Sequence, residues 1–251
     1  MNALSDILVL TERNLLRYAR IPQLLIFSTI QPIMFVLLFA YVFGGAIRTP
    51  GGSYINYLIP GIIVQSVIFG SIQTGIGLAD DLSHGLIDRF RSLPITRVAV
   101  LAARTLADTF RNIFVVLLMT GVGMIIGFQP EGSILNLLLA FILTILFGFA
   151  FSWISATIGL VIREVETVQV AGFIWMFPLV FASSIFVPIE TMPEWLAAFA
   201  KVNPITVTVN AVRALVLGGK VENNISYSLI WTVVILAIFI PLAVIIYRRR
   251  T

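Results

Sequence analysis

Six apolar stretches, none holding a charged side chain or a histidine, dominate the sequence: Leu24–Phe43, Tyr57–Leu78, Ile113–Phe128, Leu135–Ile162, Val168–Val187 and Ser226–Tyr247. A bilayer core is crossed by about 20 predominantly apolar residues in a helix. Of the 251 residues, 59% are hydrophobic and only 11% charged, against about 25% charged in soluble domains. Lipid is therefore the solvent this chain is built for. The expected fold is an all-α integral membrane domain of six transmembrane helices occupying residues 1–251. The third stretch is short, so its helix is expected to start earlier, near Leu106, with Asp108 and Arg111 at headgroup level. Pro32, Pro60, Pro178 and Pro241 fall inside spans, where neighbouring groups re-satisfy the freed backbone.

Basic residues set the orientation. Arg13, Arg17, Arg20, Arg89, Arg91, Arg97, Arg104, Arg111, Arg163 and Arg248–Arg250 fall on one side, and Arg48, Lys201, Arg213 and Lys220 on the other. The richer side belongs in the cytoplasm, which puts both termini inside and the chain in the cell inner (cytoplasmic) membrane. Tyr41, Tyr54, Tyr57, Trp195, Tyr227 and Trp231 read as outer interfacial anchors, with Tyr18 and Tyr247 as inner ones.

Residues 1–20 read as an interfacial helix and membrane anchor. Leu4, Leu8, Thr11 and Leu15 share one face, and Arg13, Arg17 and Arg20 nearly the opposite one. Val9, Leu10 and Leu16 fall off this stripe. The segment is too polar for a signal peptide, and the apolar run after it is too long.

What the spans lack weighs against several functions. Gradient-driven carriers and voltage sensors place ionisable groups at membrane depth, and none lies within these stretches. The net charge of +4 comes from residues beside spans rather than from a nucleic-acid-binding module. With no cysteine, disulfides and thiolate metal sites are excluded. His84 is the single histidine and reads as a surface residue. Gly218-Gly219-Lys220-Val221 has neither the spacing nor the hydroxyl of a phosphate-binding loop, so the chain is expected to be no enzyme and to hold no cofactor.

The second stretch carries Gln65, Ser66, Gly70, Ser71, Gln73, Thr74, Gly75 and Gly77, which suits a helix facing protein or a cavity. Close packing is the simpler role, as for the small-residue pairs Gly123/Gly127 and Ser155/Gly159. Gln65, Gln73 and Thr74 are candidates for a substrate path. No regular aromatic ladder is evident in the spans.

Two connections are long. In the cytoplasmic loop 79–112, Leu86, Ile87, Phe90 and Leu93 alternate with Asp88, Arg89 and Arg91 at helical spacing before Pro94. This amphipathic helix is fit to dock into a partner's groove, or is a surface helix held by local ion pairs. In the outer connection 188–224, Thr191 and Glu194 suit a capping box. Asn203-Pro204 suits a second helix start, ending at Gly218. Both helices are apolar and too short to span, so they are expected to dip into the outer leaflet as a re-entrant hairpin.

At these loops the chain resembles the type 2 permeases of ABC transporters. Gly85, Asp88, Arg91 and Leu93-Pro94 resemble the family's coupling loop. Pro188, Met192-Pro193, Trp195-Leu196, Asn203-Pro204 and Arg213 resemble its outer hairpin, and Arg163-Glu164 is similar too. Within the family the likeness is to antibiotic-resistance (daunorubicin-type) exporters, although Asp88 stands where Glu is more usual. The resemblance implies a dimer with a second permease, homo- or heteromeric, and a cytosolic ATPase subunit that carries ATP and magnesium. Gly85, Leu86, Asp88, Phe90, Arg91 and Pro94 would couple to that subunit. Trp195, Leu196, Asn203, Pro204 and Arg213 would form an outer gate. The expected cargo is an amphipathic, drug-like molecule moved outward, with polysaccharide, glycolipid or lipid export as the alternative. A gradient-driven carrier or a membrane enzyme fits less well.

Overall fold

The computed structural model describes residues 3–20, 22–47, 49, 53–84, 97–162, 164–219 and 223–250. The expected coupling positions Gly85, Leu86, Asp88, Phe90, Arg91 and Pro94 lie outside the described residues, as does Arg163. Among the described residues every regular element is helical. The helices are α1 (Ala3–Arg20), α2 (Pro22–Leu37), α3 (Tyr54–Ser83), α4 (Arg97–Ile126), α5 (Ile134–Val161), α6 (Val165–Phe181), α7 (Glu194–Val202), α8 (Pro204–Leu217) and α9 (Asn224–Arg250). α2 runs on as π-helical turns over Leu38–Phe43, and a 3-10 turn occupies Ile189–Thr191. By length and composition four helices are able to cross a membrane, at Tyr54–Ser83, Ala99–Ile126, Ile134–Val161 and Asn224–Arg249, while Ser28–Phe43 and Val165–Phe181 are shorter apolar helices.

α3 is the axis of the bundle and packs against α2, α4, α5, α6 and α8. Between Tyr57 and Leu78 only Gly70, Gln73 and Ile76 are not fully buried, in keeping with its small and polar residues. Its tightest approach is to α5. A Cβ on Gly159 would stand 2.2 Å from the Gly75 carbonyl oxygen, and one on Gly75 2.4 Å from that of Ser155. Where lipid is as apolar as leucine, close van der Waals contact of this kind holds helices together. The Ser155/Gly159 pair is thus a real contact. Gly123/Gly127 is only half of one: Gly123 faces Ile59, whereas Gly127 lies beyond the end of α4 with φ 108° and open space around it.

The two ends of the bundle differ chemically. At one end Leu10 of α1, Leu101 of α4, Leu160 of α5 and Tyr247 of α9 cluster, with Arg13, Arg104 and Arg248 in the same helical ends; this is the basic end. At the other, Tyr54, Phe128, Phe186 and Val212 pack around the α7–α8 hairpin; this is the hairpin end.

Several expectations are corrected. α1 leaves Leu8 of its expected membrane-facing stripe exposed but buries Thr11 of it: its buried face is Asp6, Leu10, Thr11, Asn14 and Tyr18, and Val9 and Leu16 are exposed too. Its polar side faces α4, so the apolar residues are left for the surroundings. Tyr18, Tyr54, Tyr57 and Tyr247 are buried inside the bundle, and of the expected anchors only Tyr41, Trp195, Tyr227 and Trp231 are exposed. The hairpin also divides. α7 exposes Trp195 and Phe199, but α8 buries Val209, Val212 and Leu215 against α3, α5 and α9. Protein, not lipid, covers α8. The capping box does not form: α7 starts after Pro193 without a side-chain cap, and Thr191 instead donates to the Pro188 carbonyl at 2.7 Å. Asn203, Pro204 and Gly218 bound α8 as expected, with Asn203 Oδ1 accepting from the Ile205 amide and Gly218 left-handed.

Candidate functional site

Arg104, Asp108 and Arg111 share one face of α4 at i, i+4 and i+7. Opposite them α3 runs antiparallel and presents Gly77, Thr74 and Gly70 at the matching spacing. Each glycine seats a guanidinium: a Cβ at Gly77 would lie 1.8 Å from Arg104 Nη2, and one at Gly70 2.8 Å from Arg111 Nη2. With no side chain in the way, Arg111 Nη2 donates to the Gly70 carbonyl at 2.6 Å and Arg104 Nη2 to that of Gln73 at 3.2 Å. Between them Thr74 Oγ1 donates to Asp108 Oδ2 at 2.5 Å, and the Tyr18 hydroxyl of α1 donates to Oδ1. Arg104 Nε stands 3.7 Å from Asp108 Oδ2, and the Arg111 guanidinium lies 5.9 Å over the Tyr18 ring.

All three charged residues are buried in the bundle. Asp108 and Arg111 are therefore covered by protein rather than open to solvent. A buried charge persists only when paired and hydrogen-bonded, and this network supplies both for Asp108. It also explains the polar face of α1, whose Tyr18 closes the network from outside.

Thr74 is thus a structural partner of Asp108. Gln65 and Gln73 have a different setting, a cleft of about 110 Å³ between α2, α3, α4 and α6, lined also by Arg111, Gln31 and Gln169 and by the rings of Phe69 and Phe173. Gln73 and Ile76 are shared with a second cleft of about 190 Å³ towards the basic end, lined by Asn14, Tyr18, Asp80 and Arg104. The three half-open positions of α3 (Gly70, Gln73, Ile76) all line the first cleft, together with the buried Gln65, Ser66, Phe69 and Ile72.

From that cleft a chain of phenylalanines leads towards the hairpin end. Ring centroids are 5.9 Å apart for Phe69–Phe173, 5.5 Å for Phe173–Phe177, and 5.3 Å for both Phe177–Phe181 and Phe181–Phe186. The run continues to Phe39 at 4.3 Å and Phe43 at 5.2 Å, with Phe35 against its side. The expected absence of an aromatic ladder is therefore wrong. It is built from two i, i+4, i+8 sets, Phe35/Phe39/Phe43 and Phe173/Phe177/Phe181, bridged by Phe186, with Phe69 against the second set.

At the hairpin end α6 stops at Phe181 and the buried backbone of Ser183–Phe186 is not helical. Such backbone is tolerated at depth only where protein satisfies it. Asn203 Nδ2 donates to the carbonyls of Leu179 and Ala182 at 2.7 and 2.9 Å. The Ser184 carbonyl accepts from the Tyr57 hydroxyl and from Arg213 Nη2, both at 2.9 Å, and the Phe186 carbonyl from Tyr54 at 2.9 Å. Arg213 also donates to the Tyr57 carbonyl at 3.1 Å and lies 3.6 Å over its ring. Asn203 and Arg213 are thus the clamps of this turn; Pro204 starts α8, Leu196 is half-buried and Trp195 exposed. A polar cleft of about 450 Å³, lined by Asn56, Glu131, Asn210 and Arg213, opens beside them.

Apolar helices able to cross a membrane, bundled around an internal charged network, a polar cleft and an aromatic run, define the class as a helical membrane protein. Comparison with known proteins makes the class specific: residues 5–217 match the ABC-2 type transporter family, and the chain belongs to it. It is 34% identical over 248 residues to a daunorubicin resistance ABC transporter permease protein of Streptomyces coeruleorubidus, covering 99% of this chain and 88% of that protein. A probable doxorubicin resistance ABC transporter permease of Mycobacterium tuberculosis is 28% identical (97% and 88% covered). A polysialic acid transport protein of Escherichia coli is 27% identical (90% and 85%). The chain is a multi-pass membrane permease.

Proposed function

We propose that this chain is the membrane-spanning subunit of an ATP-driven exporter of amphipathic, drug-like molecules. In this reading it has six spans, with α2 and α6 as the two shorter ones and both termini in the cytoplasm. The basic end is cytoplasmic and the hairpin end outward. A second permease completes the path, and a separate ATPase subunit, holding ATP and magnesium, docks on loop 79–112. The observation that carries the reading is the pairing of a glutamine-and-arginine cleft with an aromatic run leading from it towards the hairpin end. An amphipath needs hydrogen-bonding groups for its polar part and rings for its apolar part. The relatives named for daunorubicin and doxorubicin resistance support the same class of cargo.

The aromatic run also favours a second reading, polysaccharide export, which the polysialic acid transport relative supports. Every ring is a phenylalanine, without the hydroxyl or indole N–H that sugar binding uses alongside stacking, and the drug-like reading stands first.

The test is reconstitution. The purified chain should hydrolyse no ATP until a cytosolic ATPase subunit is added, and the pair should then export a drug-like cargo from ATP-loaded vesicles with an uncoupler present. Hydrolysis by the chain alone, or transport abolished by the uncoupler, overturns the assignment. Export of oligosaccharide but not of the drug establishes the second reading instead.

A further inference from the structure

The Asp108 network has one member it does not neutralise. Both oxygens of Asp108 are engaged, Oδ1 by Tyr18 and Oδ2 by Thr74 and Arg104. Towards the basic end, Asp81 stands 4.0 Å from Arg13 and Asp80 3.2 Å from His84. Arg111 has no carboxylate within 4.0 Å among the described residues. Its Nη2 is used on Gly70 and Asn112, while Nε and Nη1 have no hydrogen-bond partner although the side chain is only 3% exposed. Gln65, also 3% exposed, has its Oε1 without a partner. Both residues line the same cleft. A buried cation short of acceptors, beside a buried acceptor short of a donor, is costly unless something completes both.

We infer that the cleft between α2, α3, α4 and α6 is a binding site for an amphipathic molecule that presents an oxyanion, carboxylate or phosphate, next to a hydroxyl. The oxyanion balances the charge of Arg111, the hydroxyl donates to Gln65, and the apolar body lies against Phe69 and Phe173 at the start of the aromatic run. Charge-assisted bonds to a guanidinium are the stronger kind, and the low dielectric of the bundle strengthens them further. Gln169 of α6 is exposed and borders the cleft from the far side, a position from which a substituted charge would act on the ligand without touching the network. The inference deepens the permease reading by naming the polar group of its ligand. The oxyanion has two sources, a membrane lipid headgroup or the cargo itself.

The experiment uses the permease co-purified with its ATPase subunit, in phosphatidylcholine nanodiscs. The probes are pyrene-labelled phosphatidylglycerol, pyrenedodecanoic acid and, as the zwitterionic control, pyrene-labelled phosphatidylcholine. The oxyanion probes should bind at least about tenfold more tightly than the control, since one favourable charge contact of ordinary strength gives about that factor. Gln169→Glu should remove most of this preference and Gln169→Lys should increase it, in chains that melt like the unmodified one. Arg111→Gln should abolish it, and Arg111→Lys should retain part. Selectivity for both oxyanion probes without ATP-dependent movement of the acid assigns the site to lipid; movement of the acid assigns it to cargo; either supports the inference. Equal binding of all three probes, or a preference unchanged in both Gln169→Glu and Arg111→Gln, overturns it. Because binding is read without nucleotide, loss of ATP-driven transport would count against the permease reading and leave this comparison standing.

Discussion

Asp108→Asn is the substitution that most directly tests the buried network. It keeps the shape of the side chain and an oxygen able to accept from Thr74 or Tyr18, but removes the negative charge facing Arg104 at 3.7 Å. Arg104 and Arg111, 7% and 3% exposed, would then share a buried layer without the one carboxylate between them. Removing one partner of a buried ion pair costs about 3–5 kcal/mol, because the other charge is left uncompensated. The control is Thr74→Val, which deletes only the 2.5 Å hydroxyl bond to Asp108. Interhelical hydrogen bonds in membranes average about 0.6 kcal/mol. At about 2–4 °C per kcal/mol for a chain of this size, Asp108→Asn should lower the melting temperature in mild detergent by on the order of 10 °C. The same scaling puts Thr74→Val within about 2 °C of the unmodified chain. Adding Arg104→Gln to Asp108→Asn should recover part of the loss, since it removes a stranded cation. If Asp108→Asn melts with Thr74→Val, or the double substitution is worse than the single, the network is not held by its charge balance.

Two further outcomes follow from the proposed docking and orientation. Truncating an apolar anchor at a protein interface commonly costs upwards of about 2 kcal/mol, and a rim charge far less. In pull-down and coupled-transport assays Phe90→Ala should therefore weaken ATPase association more than Arg97→Ala does, and Asp88→Lys should be worse than Asp88→Asn. For orientation, single cysteines at Ser53 and Asn223 should react with an impermeant thiol reagent on intact cells and one at Ser83 should not; the reverse pattern would turn the chain over.

Much of the fold was legible because lipid imposes a length and a composition on each helix. The starts and stops that rest on local chemistry were read correctly at Asn203-Pro204 and Gly218, where a cap, a proline at the first turn and a left-handed residue act together. The Thr191–Glu194 box failed for a local reason, too: the hydroxyl bonds to the Pro188 carbonyl in its own 3-10 turn. Sidedness within helices was harder. In water an apolar stripe marks the core, but for a chain that meets lipid an apolar residue belongs equally inside or outside. That is why Leu8 and Val9 of α1 point outward while Asp6 and Asn14 are buried, and why apolar α8 lies in the protein.

The same reasoning locates what sequence alone missed at the site. Gly70, Thr74 and Gly77 were visible as polar and small residues of a span, and Arg104, Asp108 and Arg111 as charges beside another. Each set repeats at i, i+4 and i+7 or its mirror. Neither is meaningful alone: a glycine in a membrane helix usually permits packing, and an arginine near a span usually marks topology. Only the antiparallel register of α3 against α4 makes them complementary, placing each guanidinium over a glycine and the carboxylate opposite the threonine. The phenylalanine run was hidden in the same way, since Phe35/Phe39/Phe43 and Phe173/Phe177/Phe181 read as ordinary apolar residues until α2 and α6 come together beside Phe69 and Phe186. Gln65 and Gln73 stood out because an amide inside an apolar span has no lipid partner and must face protein or a cavity. Buried polar groups in a membrane chain thus become informative when they are read as pairs across helices; among the unpaired atoms, which include those of Asp6, Asn112 and Trp153, the inferred site uses the two residues, Arg111 and Gln65, that line one cleft.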